Sequence, residues 1–90
     1  MARDLAGAVV VISGASSGIG RAAALSFARC GSRLVLAARS REPREECRRV
    51  VDDALVVVPD VRDEAAVHAL AERAVERFDR IDVWVNCAGV

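Results

Sequence analysis

Val9-Val10-Val11-Ile12-Ser13-Gly14-Ala15-Ser16-Ser17-Gly18-Ile19-Gly20 is the stretch whose reading decides the fold. Val9 to Ile12 is a run of β-branched residues suited to a strand buried on both faces, and it passes without a break into Gly14, Gly18 and Gly20. Helical patterning follows. Strand, glycine-rich turn and helix in that order make a cradle for phosphate: the glycines have no Cβ to hold an anion away, and the helix start presents unpaired N–H groups with partial positive charge. The helix dipole contributes only about 0.3–1 kcal/mol per anionic group at an exposed end, so direct N–H bonds must carry most of such binding. The spacing G-x-x-x-G-x-G differs from the commonest dinucleotide fingerprint, G-x-G-x-x-G, and no Gly-Lys-Ser/Thr ending follows, which argues against an ATPase.

Working outward, Met1 to Ala6 is a lead-in and the first strand is predicted over about Ala8 to Ser13. The helix after Gly18 carries Ile19, Ala22, Ala23, Ser26, Phe27 and Cys30 at helical spacing, predicted to face the sheet, with Arg21 and Arg29 opposite. Gly31 follows as a C′ residue, a position that favours left-handed backbone. Leu34 to Ala38 is the second apolar run and reads as a parallel strand. In the charged stretch after it, Pro43 suits the first turn of a helix reaching about Val51. A third strand, Leu55 to Val58, stops at Pro59. Asp60-Val61-Arg62-Asp63 then leads into the clearest helix, with Val67, Leu70, Ala71, Ala74, Val75 and Phe78 in one stripe. Val83 to Asn86 is the fourth strand, with Trp84 expected in the core beneath a helix.

Strands alternating with helices through short connections give an α/β fold with a parallel sheet and right-handed crossovers. The first strand is central and the predicted order is 3-2-1-4, with binding at the carboxyl ends of the strands where the order reverses. Gly14 to Gly20, Arg39, Asp60 and Asn86 to Gly89 all fall at such ends, so four distant segments converge on one crevice.

Composition narrows the classes. Ninety residues fit one small domain, and zero formal net charge points to neither a nucleic-acid surface nor a polybasic membrane patch. The N-terminus has no signal-peptide core, and no apolar run approaches the roughly 18 residues that span a bilayer, so a cytoplasmic location is expected. Cys30, Cys47 and Cys87 are odd in number and widely spaced, which reads as neutral thiols rather than a disulfide framework or a zinc site. His68 and the Glu72/Arg73/Glu76/Arg77 alternation read as a solvated helix face. The chain contains no Tyr, and all 13 of its Lys-plus-Arg residues are Arg. Chemistry that needs a phenol or an amine is therefore beyond these residues.

Ser13-Gly14-Ala15-Ser16-Ser17-Gly18-Ile19-Gly20, Asp60-Val61 and Asn86-Cys87-Ala88-Gly89, in this order and at these separations, resemble the N-terminal half of a short-chain dehydrogenase/reductase. The resemblance covers essentially the whole chain and implies a partial Rossmann fold. It also implies that Gly14, Ser16, Ser17, Gly18 and Ile19 line the phosphates and adenosine ribose of a nicotinamide cofactor. By the same resemblance Asp60 and Val61 flank the adenine, while Asn86, Ala88 and Gly89 close the floor near the second ribose, Asn86 also tying the central strands together. Ser13 replaces the family's usual Thr and keeps the hydroxyl. Cys87 replaces the second Asn of the family's Asn-Asn-Ala-Gly, Asp79 stands where Gly is usual, and Arg41 to Asp53 is a few residues short. The family's catalytic Ser and Tyr-x-x-x-Lys fall beyond Val90, so the expectation is a cofactor-binding half, a fragment or truncated form, with no catalytic residue of its own and no metal. A small alcohol or carbonyl substrate and a homo-oligomer are implied for a full-length form.

An acidic side chain at the end of the second strand holds the ribose hydroxyls of NAD and repels a 2′-phosphate. Here that position is Ala38 and Arg39 follows, so NADP is expected in preference to NAD, with Ser40 and Ser16 assisting. Two other classes stay open: a non-catalytic dinucleotide-binding or nucleotide-sensing module, and an S-adenosylmethionine-dependent transferase. Arg39 weighs against the second of these, because it stands where that cofactor's ribose wants an acid.

Overall fold

The structure, a computed structural model, describes residues 5–14, 18–38, 54–57 and 64–87. Everything in it is arranged around β1 (Val9–Ser13), whose five residues are all buried. Parallel to it run β2 (Arg33–Ala37), β3 (Ala54–Val57) and β4 (Val83–Asn86), in the order β3-β2-β1-β4. This is the predicted order, and the strand limits fall within a residue of those read from the sequence. The helix predicted from Pro43 to Val51 lies outside the described residues.

Successive side chains of a strand point to opposite faces, and the clusters follow that alternation. Val10, Ile12, Leu34, Leu36, Ala54 and Val56 face one way and pack with Ala24 and Ala28 of α1 (Gly18–Arg29). Val9, Val11, Val35 and Ala37 face the other way and pack with Leu70, Ala74 and Phe78 of α2 (Glu64–Phe78). The chain steps one way from β1 to β2 but back across the sheet from β3 to β4, so right-handed crossovers put the two helices on opposite faces. Trp84 packs, partly buried, against the cluster beneath α2, as expected of a core residue.

Two predicted helix faces need correction. On α1 the buried residues are Gly20, Ala24 and Ala28, flanked by Ala23, Leu25 and Phe27, whereas Ala22 and Ser26 are exposed and Ile19 is 60% exposed. Ala22-Ala23-Ala24 is equally apolar on every side, so the face was set by how closely the helix backbone can approach the sheet, and the residues without bulk won. On α2, Leu70, Ala74 and Phe78 are buried, but Val67 and Val75 at the rim of the stripe are 42% and 47% exposed.

The helix ends are closed by left-handed residues. At α1, Gly31 (φ 83°) donates to Ala28 O and Ser32 to Phe27 O, the paired bonds of a Schellman motif. At α2 the left-handed residue is Asp79 (φ 70°), whose N–H donates to Val75 O at 2.7 Å. Asp tolerates this region better than most residues, yet its Cβ still crowds the carbonyl as a glycine would not.

The amino end of the sheet is tied by side chains reaching across the chain. Ser32 Oγ donates to Leu5 O at 2.7 Å and Arg33 Nε to Gly7 O at 2.9 Å. Arg33 and Arg77 both lie over the Phe78 ring, at 5.4 and 4.7 Å from its centroid. Asp82 Oδ2 accepts the N–H of Val9 at 2.8 Å, while Oδ1 accepts from Arg80 at 2.6 Å. The Arg80 hydrogen bond first, then the Val9 amide, holds the Asp82 carboxyl below its ordinary range.

A carboxylate whose pKa is lowered on folding adds stability that is complete above its unfolded value and is lost as pH falls through the folded one. Urea unfolding is therefore expected to show this contribution intact at neutral pH and fading below about pH 4. Asp82→Asn should lower stability at pH 7 and flatten that part of the acid limb. Asp79→Gly should raise the urea midpoint, relieving up to about 1 kcal/mol of left-handed strain, less the entropy that glycine adds to the unfolded chain.

Candidate dinucleotide site

The strand register levels the carboxyl ends. Val57 pairs with Ala37, Ala37 with Ser13, and Ser13 with Asn86, so the last residues of all four strands form one row across the sheet. Main-chain bonds carry the pairing one residue further: Ala38 N–H donates to Val57 O at 3.1 Å and Cys87 N–H to Ser13 O at 3.0 Å. Gly14, Ala38 and Cys87 are therefore the residues at which the chain leaves the sheet on this side.

Each glycine of the turn has a different reason to be one. Gly14 is buried with φ 74°, a backbone that a side chain would strain, and it lets the chain turn sharply off β1. Gly20 is buried on the sheet-facing side of α1 and lets the helix lie close. Gly18, the first residue of α1, is exposed, and among the described residues nothing lies within 4 Å of where its Cβ would be. Neither backbone angle nor crowding by the described residues explains Gly18, although glycine is a poor helix former compared with alanine. The first turn of α1 carries no acidic side chain, so its partial positive charge is not neutralised from within the helix.

At the junction of the central strands, the buried Ser13 hydroxyl donates to Asn86 Oδ1 at 2.9 Å. This bond joins residues 73 apart in sequence and fixes the side-chain amide beside the row of strand ends. The link between central strands expected of Asn86 is thus present. Ser13 itself was not among the candidate site residues; the signal that points to it is a hydroxyl at the last position of β1, directly across from Asn86 in the register.

Of the residues singled out in the sequence, Gly14, Gly18, Ile19 and Asn86 are described: Gly14 follows the last residue of β1, Gly18 and Ile19 open α1, and Asn86 ends β4. Ser16, Ser17, Arg39, Ser40, Asp60, Val61, Ala88 and Gly89 lie outside the described residues. Arg39 is the residue after Ala38, which is fully buried and offers no carboxylate at the end of β2. Cys87 is buried and Cys30 partly so, both as free thiols. Among the described residues no three His, Cys, Asp or Glu side chains group as metal ligands, and no helix is long and apolar enough to cross a membrane. A cavity of about 230 Å³ lies at the opposite, amino end of the sheet, lined by Leu5, Gly7, Ala8, Arg80, Asp82 and Val83. The Asp82 carboxylate there is already engaged by Arg80 and the Val9 amide, so its charge is spent within the fold.

The sequence profile of the short chain dehydrogenases matches residues 8–90. Human hydroxysteroid dehydrogenase-like protein 2 is 41% identical over 95 residues, covering 93% of this chain and 23% of that protein. A short chain dehydrogenase from Mycobacterium thermoresistibile superposes with a TM-score of 0.82 at 36% identity, over 96% of this chain and 35% of that one. An NADH-dependent reductase solved with NAD gives 0.80 at 31% identity, over 93% and 37%. The chain thus spans about a quarter to two fifths of the length of the proteins it matches.

The distinct reasons for the two turn glycines are separable by stability alone. Gly14→Ala is expected to lower the melting temperature, at a cost of more than about 1 kcal/mol because the native φ is positive. Gly18→Ala should leave it level or raise it, since alanine is the better helix former by about 0.8–1 kcal/mol in a helix interior. Thermal unfolding followed by circular dichroism checks both.

Proposed function

Because the chain belongs to the short-chain dehydrogenase family, we propose that it forms the dinucleotide-binding portion of an oxidoreductase. The reaction moves hydride between a nicotinamide cofactor, NADP in preference to NAD, and the carbonyl or alcohol carbon of a small molecule. The observation that carries this reading is Gly18: a glycine that nothing among the described residues requires, at a helix start that they leave uncrowded and with no acid in its first turn, in the element that follows the central strand. A pyrophosphate approaching the main chain supplies the missing reason, because a methyl group there would meet it.

When bound, the nicotinamide supplies or receives the hydride. The residues of this chain bind and orient it. Gly14 turns the backbone off β1, the N–H groups at the start of α1 bond the phosphates, and the exposed side of Ile19 borders them. Asn86, steadied by Ser13, shapes the floor beside β4. In the same reading Ser16 and Ser17 contact the phosphates and ribose, Asp60 and Val61 the adenine, and Ala88 and Gly89 the second ribose. NADP preference rests on Ala38, buried and without charge, followed by Arg39, whose guanidinium can fork onto a 2′-phosphate with bonds of about 1.5–3 kcal/mol each.

Proton transfer in such a reaction needs a general acid with a tuned pKa. With neither Tyr nor Lys, these ninety residues hold no phenol or amine for that role. The second reading is a dinucleotide-binding module without chemistry. A substrate and a homo-oligomeric assembly belong to the first reading only.

Titration of NADPH and NADH fluorescence tests the proposal. Arg39→Asp should weaken NADPH binding by tenfold or more while NADH binding holds or improves, and unchanged relative affinities would reject the assignment. Gly18→Ala should weaken both nucleotides. The ninety-residue chain is expected to show no NADPH-dependent carbonyl reduction above background, measured as loss of absorbance; turnover would refute the division of labour proposed here.

A further inference from the structure

We draw no further inference here: the strongest candidate, the side of α2 formed by Ala71 and Val75 next to His68 and rimmed by Glu72 and Glu76, is an unpartnered helix face, and nothing among the described residues shows what covers it.

Discussion

Burial of β1 on both faces is the constraint on which the remainder depends. A strand with no solvent side must have a helix layer above and below it, and four of its five buried residues divide evenly between the two clusters. Because β1 also lies between β2 and β4, its register with each determines how far every other strand extends. Shifting that register by one residue would send each side chain to the wrong layer. The level row from Val57 to Asn86 is thus a by-product of packing, and the carboxyl edge inherits its flatness from the core.

Much of this was legible in the sequence, for identifiable reasons. Continuous apolar runs at Val9–Ile12 and Leu34–Leu36 admit few readings other than strands buried on both sides, and their alternation with helices through short connections makes the sheet parallel. Gly31 at the end of the first helix also announced left-handed backbone, which the structure shows there, and Asp79, standing where the resembled family usually has Gly, is left-handed too. The buried face of α1 was not legible. Its sequence, Ala22-Ala23-Ala24-Leu25, gives hydrophobic periodicity nothing to sort, and the choice fell to close approach through Gly20 and Ala24, a property of three dimensions.

The long-range ties were hidden for another reason. Asp82 accepting the Val9 amide, and Ser13 donating to Asn86, each join residues 73 apart, and short polar side chains at strand ends look alike whether they meet water or one another. Likewise, Arg33 and Arg77 converge on Phe78 only once β2 and α2 are assembled. At the candidate site the glycine spacing is plain from the sequence, while the structure separates the reasons for it: strain relief at Gly14, packing at Gly20, and at Gly18 neither of these among the described residues.

The small residues beneath α1 reach further than their size suggests. Gly20 and Ala28 are eight positions apart, about 12 Å along the helix, and both rest on the sheet. They work as the two feet of a rigid rod. A bulkier side chain at the distal foot would tip the rod about the near one and swing its amino end away from the strand ends. The direction of the helix start is thus entrusted in part to the methyl group of Ala28, at the opposite end of the helix.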